Sequence, residues 1–103
     1  PVGIQKTHYA KGGHEMTKDE ENRLKEIYLR ACVCKERATD ALTQARETGY
    51  QLGGKALSHV VATARCCAVM DVMMAFFDDA TIDIIEFEAR EKYQADPMLF
   101  AED

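Results

Sequence analysis

The chain has 103 residues, of which 47% are hydrophobic, and a formal net charge of −5. This length fits one small domain with a modest core and excludes a second domain of ordinary size. Good helix formers dominate from residue 17 onward and proline occurs only twice, so the sequence predicts an all-α fold.

Charge is divided unevenly along the chain. Residues 1–65 carry eleven basic and eight acidic side chains, whereas residues 66–103 carry two basic and ten acidic ones. Direct, sequence-independent binding to nucleic acid needs a basic surface, and the acidic half argues against it. A weaker alternative is an acidic mimic that occupies the nucleic-acid-binding surface of a partner protein.

Residues 1–16 differ in composition from the rest and are predicted to be an irregular N-terminal arm or a translated leader. They lack a helical period and hold three of the six glycines. Residues 11–16, KGGHEM, can be back-translated as a purine-rich ribosome-binding sequence followed by a start codon. This predicts Met16 as the initiator in a bacterium or its phage. The segment lacks the charged and apolar regions of a secretory signal, so we expect a cytoplasmic protein.

The first helix is predicted over residues 18–48. Thr17 followed by Glu20 is a capping box, and Gly49 is a common helix terminator. The apolar stripe of this helix is mostly alanine, which buries little area per residue, so the helix needs a partner with larger side chains. The stripe contains Leu24, Ile27, Ala31, Cys34, Ala38, Ala41 and Ala45, flanked by Tyr28 and Leu42.

The second helix is predicted over residues 55–94, after a loop at 49–54 that contains three glycines. Aspartates and a threonine in 78–81 could cap a third helix, but the apolar heptad continues through them and favours one helix. Residues 95–103 form a tail, because Pro97 stops the helix. The apolar residues 98–100 of this tail are expected to fold back onto a groove or to meet another subunit.

The apolar segment 66–77 predicts self-association. Eleven of its twelve residues are apolar, but it is too short to span a bilayer, so we expect no membrane contact. A single hairpin has too few faces to bury it, which favours a homodimer that forms a four-helix bundle. A monomer that uses residues 1–15 as the missing layer is the structural alternative. The predicted interface contains Cys66, Val69, Met70, Met73, Phe76, Phe77, Ile84 and Phe87.

The four cysteines lack the C-x-x-C spacing of zinc knuckles and redox motifs and are predicted to be small core residues. Cys34 lies on the apolar stripe of the first helix, which is the predicted seam with the second helix, and Cys32 lies about 200° around the helix from it. We expect no cofactor. The alternative is a soft-metal site for Cu(I), because thiolate, thioether and imidazole ligands share one helix face. Its candidate ligands are His59, Cys66, Met70 and Met73.

These patterns favour binding over catalysis. We find no Ser-His-Asp or Cys-His arrangement, and Asp71, the one carboxylate in the apolar segment, has no second acid or base at a suitable spacing. The sequence therefore predicts a small cytosolic helical protein that self-associates and acts by protein binding, as a regulator, adaptor or inhibitor. The alternative prediction is a soft-metal or thiol-sensing bundle.

Overall fold

The computed structural model describes residues 16–101, which form three helices: α1 (Lys18–Thr48), α2 (Leu52–Phe76) and α3 (Asp79–Ala95). The predicted all-α fold is confirmed for these residues. α1 and α2 form an antiparallel hairpin, and α3 packs mainly on α1 with few contacts to α2. The predictions made for residues 1–15 lie outside the described residues.

The bounds of α1 agree with the predicted ones. The Thr17 hydroxyl accepts a hydrogen bond from the Glu20 backbone N–H, and the Glu20 carboxylate accepts one from the Thr17 N–H. At the other end Gly49 adopts a left-handed conformation with φ of 76°, which glycine tolerates without steric cost. Its N–H donates to the Ala45 carbonyl and closes the helix.

We expect Thr17→Ala to lower the free energy of unfolding by about 1 kcal/mol, because the Glu20 backbone N–H loses the hydroxyl that caps it. Thr43→Ala is the matched control. The Thr43 hydroxyl is exposed and donates to a carbonyl within the same helix, where alanine is the better helix former. Urea unfolding followed by circular dichroism measures both variants. Equal stability of Thr17→Ala and Thr43→Ala would contradict the capping role.

The loop between α1 and α2 is shorter than predicted. Residues 49–51 form the turn, and α2 already begins at Leu52, so Gly53 and Gly54 lie in its first turn rather than in the loop. Gln51 supplies the left-handed residue before the helix, with φ of 54°. The cluster of glycines therefore indicated the position of the turn but overestimated its length.

The predicted continuous second helix over residues 55–94 is wrong. α2 ends at Phe76, Phe77 is extended with φ of −129°, and the Asp78 carboxylate accepts a 2.9 Å hydrogen bond from the Thr81 N–H. This N-cap starts α3 and holds the pKa of Asp78 below its usual value. The uninterrupted apolar stripe misled the prediction because both helices bury an apolar face against α1.

The break at Phe77 returns the chain along α1. Tyr28 pairs with Glu86, and farther along Asp40 pairs with Tyr93, so α3 runs in the same direction as α1. Helix α1 is thereby covered by α2 on one side and by α3 on another. The residues of the main core are Tyr28, Ala31, Cys32 and Val33 from α1, Cys66, Met73 and Phe77 from the α2 segment, and Ile82, Ile85 and Ala89 from α3.

The C-terminal tail folds back onto α1, in agreement with the first of its two predicted positions. The Arg37 guanidinium donates hydrogen bonds to the carbonyls of Pro97 and Leu99. The guanidinium of Arg30 lies over the Phe100 ring, 4.7 Å from its centroid. Because the tail occupies this side of α1, it covers Cys34, whose thiol lies 3.9 Å from the Phe100 carbonyl oxygen.

Candidate functional site

A groove of about 120 Å³ opens where α2 and α3 diverge above α1. The divergence follows from the fold, since α2 and α3 both pack on α1 and barely contact each other. The lining combines thiols with charged side chains. The lining residues are Tyr28, Cys32, Lys35 and Glu36 of α1, Cys66, Cys67 and Met70 of α2, and Glu86 and Arg90 of α3.

Two cysteines from different helices meet at the base of this groove. The Sγ atoms of Cys32 in α1 and Cys66 in α2 are 3.8 Å apart, within the distance of a thiol hydrogen bond. The two residues are 7% and 5% exposed, respectively, and both thiols are free. Cys67, the neighbour of Cys66, is exposed and lines the same groove. The site therefore holds a buried thiol pair with a third thiol beside it.

The electrostatics of the pair distinguish its members. The hydrogen bond between the Cys32 and Cys66 thiols, aided by the Lys35 ammonium, lowers the pKa of Cys66 against the opposing effect of burial. The same hydrogen bond, together with burial, raises the pKa of Cys32. When Cys66 is a thiolate, the Cys32 thiol is therefore the donor of the hydrogen bond between them.

Tyr28 and Glu86 form the second polar contact of the groove. The Tyr28 hydroxyl donates to the Glu86 carboxylate over 2.5 Å, and the tyrosine is 1% exposed. Burial and this hydrogen bond raise the pKa of Tyr28, so the phenol remains a donor throughout the physiological pH range. The contact ties α1 to α3 next to the point where the thiol pair ties α1 to α2.

The structure reverses the predicted roles of the two cysteines on α1. Cys32 is buried against Cys66, whereas Cys34 is half-buried beneath the tail. The prediction assumed that α1 packs against a single partner helix. In the structure α1 packs against both α2 and α3, so a wider part of its circumference is buried. For the same reason Val33, outside the predicted stripe, is fully buried, and Ile27, inside it, is 38% exposed.

The candidate soft-metal ligands lie in different surroundings in the structure. Cys66 and Met70 line the groove, but Met73 is fully buried in the core. His59 lies two turns away along α2, where its ring nitrogen is 3.5 Å from the Thr63 hydroxyl. Within residues 16–101, no group of three or more His, Cys, Asp or Glu side chains is arranged to hold a metal ion.

The predicted interface residues fall into three groups in the structure. Cys66, Met73 and Phe77 are buried inside a single chain, and Val69, Met70 and Phe76 are partly buried against its core. Ile84 and Phe87 of α3 are 66% and 60% exposed. The buried members leave little area for a second copy, whereas the two α3 residues keep their side chains available.

A second apolar surface lies on the side of α2 that faces away from α1, and we call it the α2 outer face. Helix α2 is the most apolar element, with a mean hydropathy of 1.4 over its most apolar 18 residues. Only 11% of these residues are buried. Its length and composition alone would also suit a membrane span, although Arg65 and Asp71 interrupt it. The α2 outer face comprises Leu57, Val60, Val61, Ala64, Ala68, Val72 and Ala75.

Sequence reasoning missed Cys32, Tyr28 and Glu86 as site residues. Tyr28 and Cys32 are four residues apart and therefore share a helix face, which is a signal that could have linked them. Glu86 comes near them only because the chain reverses at Phe77 and Asp78. Comparisons with models of protein families, with curated proteins and with solved structures give no match for this chain.

Proposed function

We propose that this chain is a small cytosolic helical protein that self-associates through the α2 outer face and acts by protein binding, as a regulator, adaptor or inhibitor. One observation carries the proposal: the most apolar helix of the structure buries only Cys66 and Met73 fully and exposes most of its remaining surface. Removing exposed apolar area from water contributes roughly 25 cal/mol per Å², so an uncovered face of this kind favours association.

The spacing of the α2 outer face suits another helix. Leu57, Val61, Ala64, Ala68 and Ala75 follow the alternating steps of four and three residues, with one interruption at Asp71, that are typical of helix pairs. Alanines at the centre of the face allow two helix axes to approach closely. The face therefore has the geometry of a helix-packing surface rather than of a small-molecule site.

The charges beside the face do not oppose a second copy of this chain, which we propose as the occupant. Between Lys55 and Asp78 the helix carries one basic residue, Arg65, and one acidic residue, Asp71, which lie on opposite flanks of the face. In an antiparallel pair with its two-fold axis near Ala68, Arg65 of each copy lies at the same level along the helix as Asp71 of the other. An isologous contact of this kind therefore brings no two like charges to the same level.

Light scattering after size-exclusion chromatography tests the proposal on the full chain. We expect a mass twice the chain mass of 11.6 kDa, and we expect Ala68→Glu to reduce it to that of one chain, because it places two like charges at the two-fold axis. Ala80→Glu is the matched control, since Ala80 is an exposed alanine in the first turn of α3. It should leave the doubled mass unchanged.

Three results would contradict the proposal. The first is a wild-type chain that stays monomeric throughout a concentration series. The second is a doubled mass that Ala68→Glu preserves while Ile84→Glu abolishes it, which would place the contact on α3. The third is a monomer that floats with vesicles of neutral phosphatidylcholine, which would assign the apolar helix to a lipid surface. Circular dichroism confirms that each variant retains its helices.

A further inference from the structure

We propose that the groove is a site of reversible oxidation, in which Cys66 reacts with a hydroperoxide and Cys32 then forms a disulfide with it. The inference does not depend on self-association, because the groove and the α2 outer face lie on different sides of α2. It assigns a chemical role to two buried cysteines that packing alone would not require to meet.

The two sulfurs lie close enough to form a bond after a small movement. They are 3.8 Å apart, and a disulfide bond is about 2.0 Å long, so closure needs a combined displacement of roughly 2 Å. Cys32 lies in the middle of α1 and Cys66 in the middle of α2, where both helices are held by the core. The pair is therefore preorganised, unlike two cysteines that meet through a flexible loop.

The groove provides access for a small oxidant. Its volume of about 120 Å³ exceeds that of hydrogen peroxide, which is little larger than a water molecule at roughly 30 Å³. Cys32 and Cys66 both line it. Larger oxidants such as glutathione disulfide would meet the exposed Cys67 before they reached the pair. The site therefore selects for hydroperoxides of small size.

The reaction balances in two steps. The Cys66 thiolate attacks one oxygen of hydrogen peroxide, the O–O bond breaks, and the departing hydroxide takes up a proton to give water and a sulfenic acid on Cys66. The sulfur of Cys32 then attacks the Cys66 sulfur, and the hydroxide that leaves combines with the Cys32 proton to form a second water. Two thiols lose two electrons in total and the peroxide gains two. A thiol reductant restores the pair.

Thiolate formation sets the pH dependence. The hydrogen bond with Cys32 lowers the pKa of Cys66, so the rate of oxidation should rise with pH already below the ordinary thiol range, as the thiolate forms. The titratable and charged groups that line the groove with Cys66 are Tyr28, Cys32, Lys35, Glu36, Cys67, Glu86 and Arg90. Lys35 favours the thiolate, whereas Glu36 and Glu86 oppose it.

Peptide mapping by mass spectrometry tests the inference on the reduced full chain after hydrogen peroxide is added. We expect the intact mass to fall by two hydrogen atoms, the free thiols to decrease from four to two, and one crosslinked peptide pair to contain Cys32 and Cys66. Dithiothreitol should reverse all three changes. Because this measurement uses the wild-type chain, it does not depend on the folding of any variant.

Variants separate the order of events. Cys32→Ser should accumulate a sulfenic acid on Cys66 that dimedone traps, and Cys67→Ser should still form the Cys32–Cys66 disulfide. Cys34→Ser is the matched control, since Cys34 lies beneath the tail and should not affect the reaction. A crosslink through Cys67, a crosslink between two chains, or a Cys66 thiol that reacts only after denaturation would each overturn the inference.

Discussion

Met73→Ala should lower the free energy of unfolding by about 2–5 kcal/mol, the usual range for removing a fully buried methionine from a core. Met73 is 0% exposed and belongs to the cluster that joins all three helices. Alanine would leave a cavity within this cluster, which the helices can close only in part. For a domain of this size, each kcal/mol corresponds to roughly 4–8 °C in Tm, so the effect is large.

The adjacent methionine provides a matched control. Met74 is 58% exposed, and we expect Met74→Ala to change the free energy of unfolding by less than about 0.5 kcal/mol. Urea unfolding of both variants, monitored by circular dichroism at one protein concentration, measures the contrast. If the two substitutions had similar costs, the packing of α2 on α1 described above would be incorrect.

Tyr28→Phe should lower the free energy of unfolding by about 1–3 kcal/mol, because it removes the donor from the partly buried Glu86 carboxylate. Tyr93→Phe is the control with the same chemistry at the surface. The Tyr93 hydroxyl donates to Asp40 over 2.7 Å in an exposed position, where water can replace it. A similar loss in both variants would contradict the importance that we assign to burial of the Tyr28 pair.

The same tyrosine predicts a specific alkaline effect. Burial and the bond to Glu86 raise the pKa of Tyr28 in the folded state, whereas the unfolded chain titrates near the ordinary value of 10.0. The stabilisation is therefore complete below pH 10 and is lost as the pH rises above it. As the pH rises above 10, the free energy of unfolding should fall faster for the wild type than for Tyr28→Phe. The difference in free energy of unfolding between the two proteins should therefore become smaller. Thermal unfolding of both proteins at several alkaline pH values measures this effect. A difference in stability between wild type and Tyr28→Phe that stays constant with pH would contradict the raised pKa of Tyr28.

Local signals in the sequence account for the parts of the fold that were predicted correctly. The capping box of Thr17 and Glu20 and the terminator Gly49 act within a few residues of themselves, so the bounds of α1 could be read without knowledge of the rest. The end of α2 was missed for the opposite reason. The N-cap at Asp78 competes with an apolar stripe that continues across it, and the stripe does not show that its two halves pack on α1 from different sides.

The thiol site could not be predicted, because it depends on the number of helices that cover α1. With one partner helix, the heptad pattern places Cys34 on the seam and Cys32 away from it. With two partners, the buried arc widens, Cys32 meets Cys66, and the tail takes the position above Cys34. Whether a side chain is buried depends on the elements that pack around it. The periodicity of α1 does not show that a third helix, α3, also packs on it.

The sequence by itself determined that the chain is helical from residue 18 onward within the described part, where α1 begins and ends, and that the segment 66–77 is too apolar to remain uncovered on all sides. These conclusions follow from backbone capping, helix propensity and composition, which are local quantities. The tertiary structure decided which side of that segment is covered. Met73 and Cys66 point into the core of one chain, and the α2 outer face is left exposed. The reversal at Phe77 brings α3 onto α1 beside α2, so Cys66 and Met73 share one core with Ile82, Ile85 and Ala89 of α3.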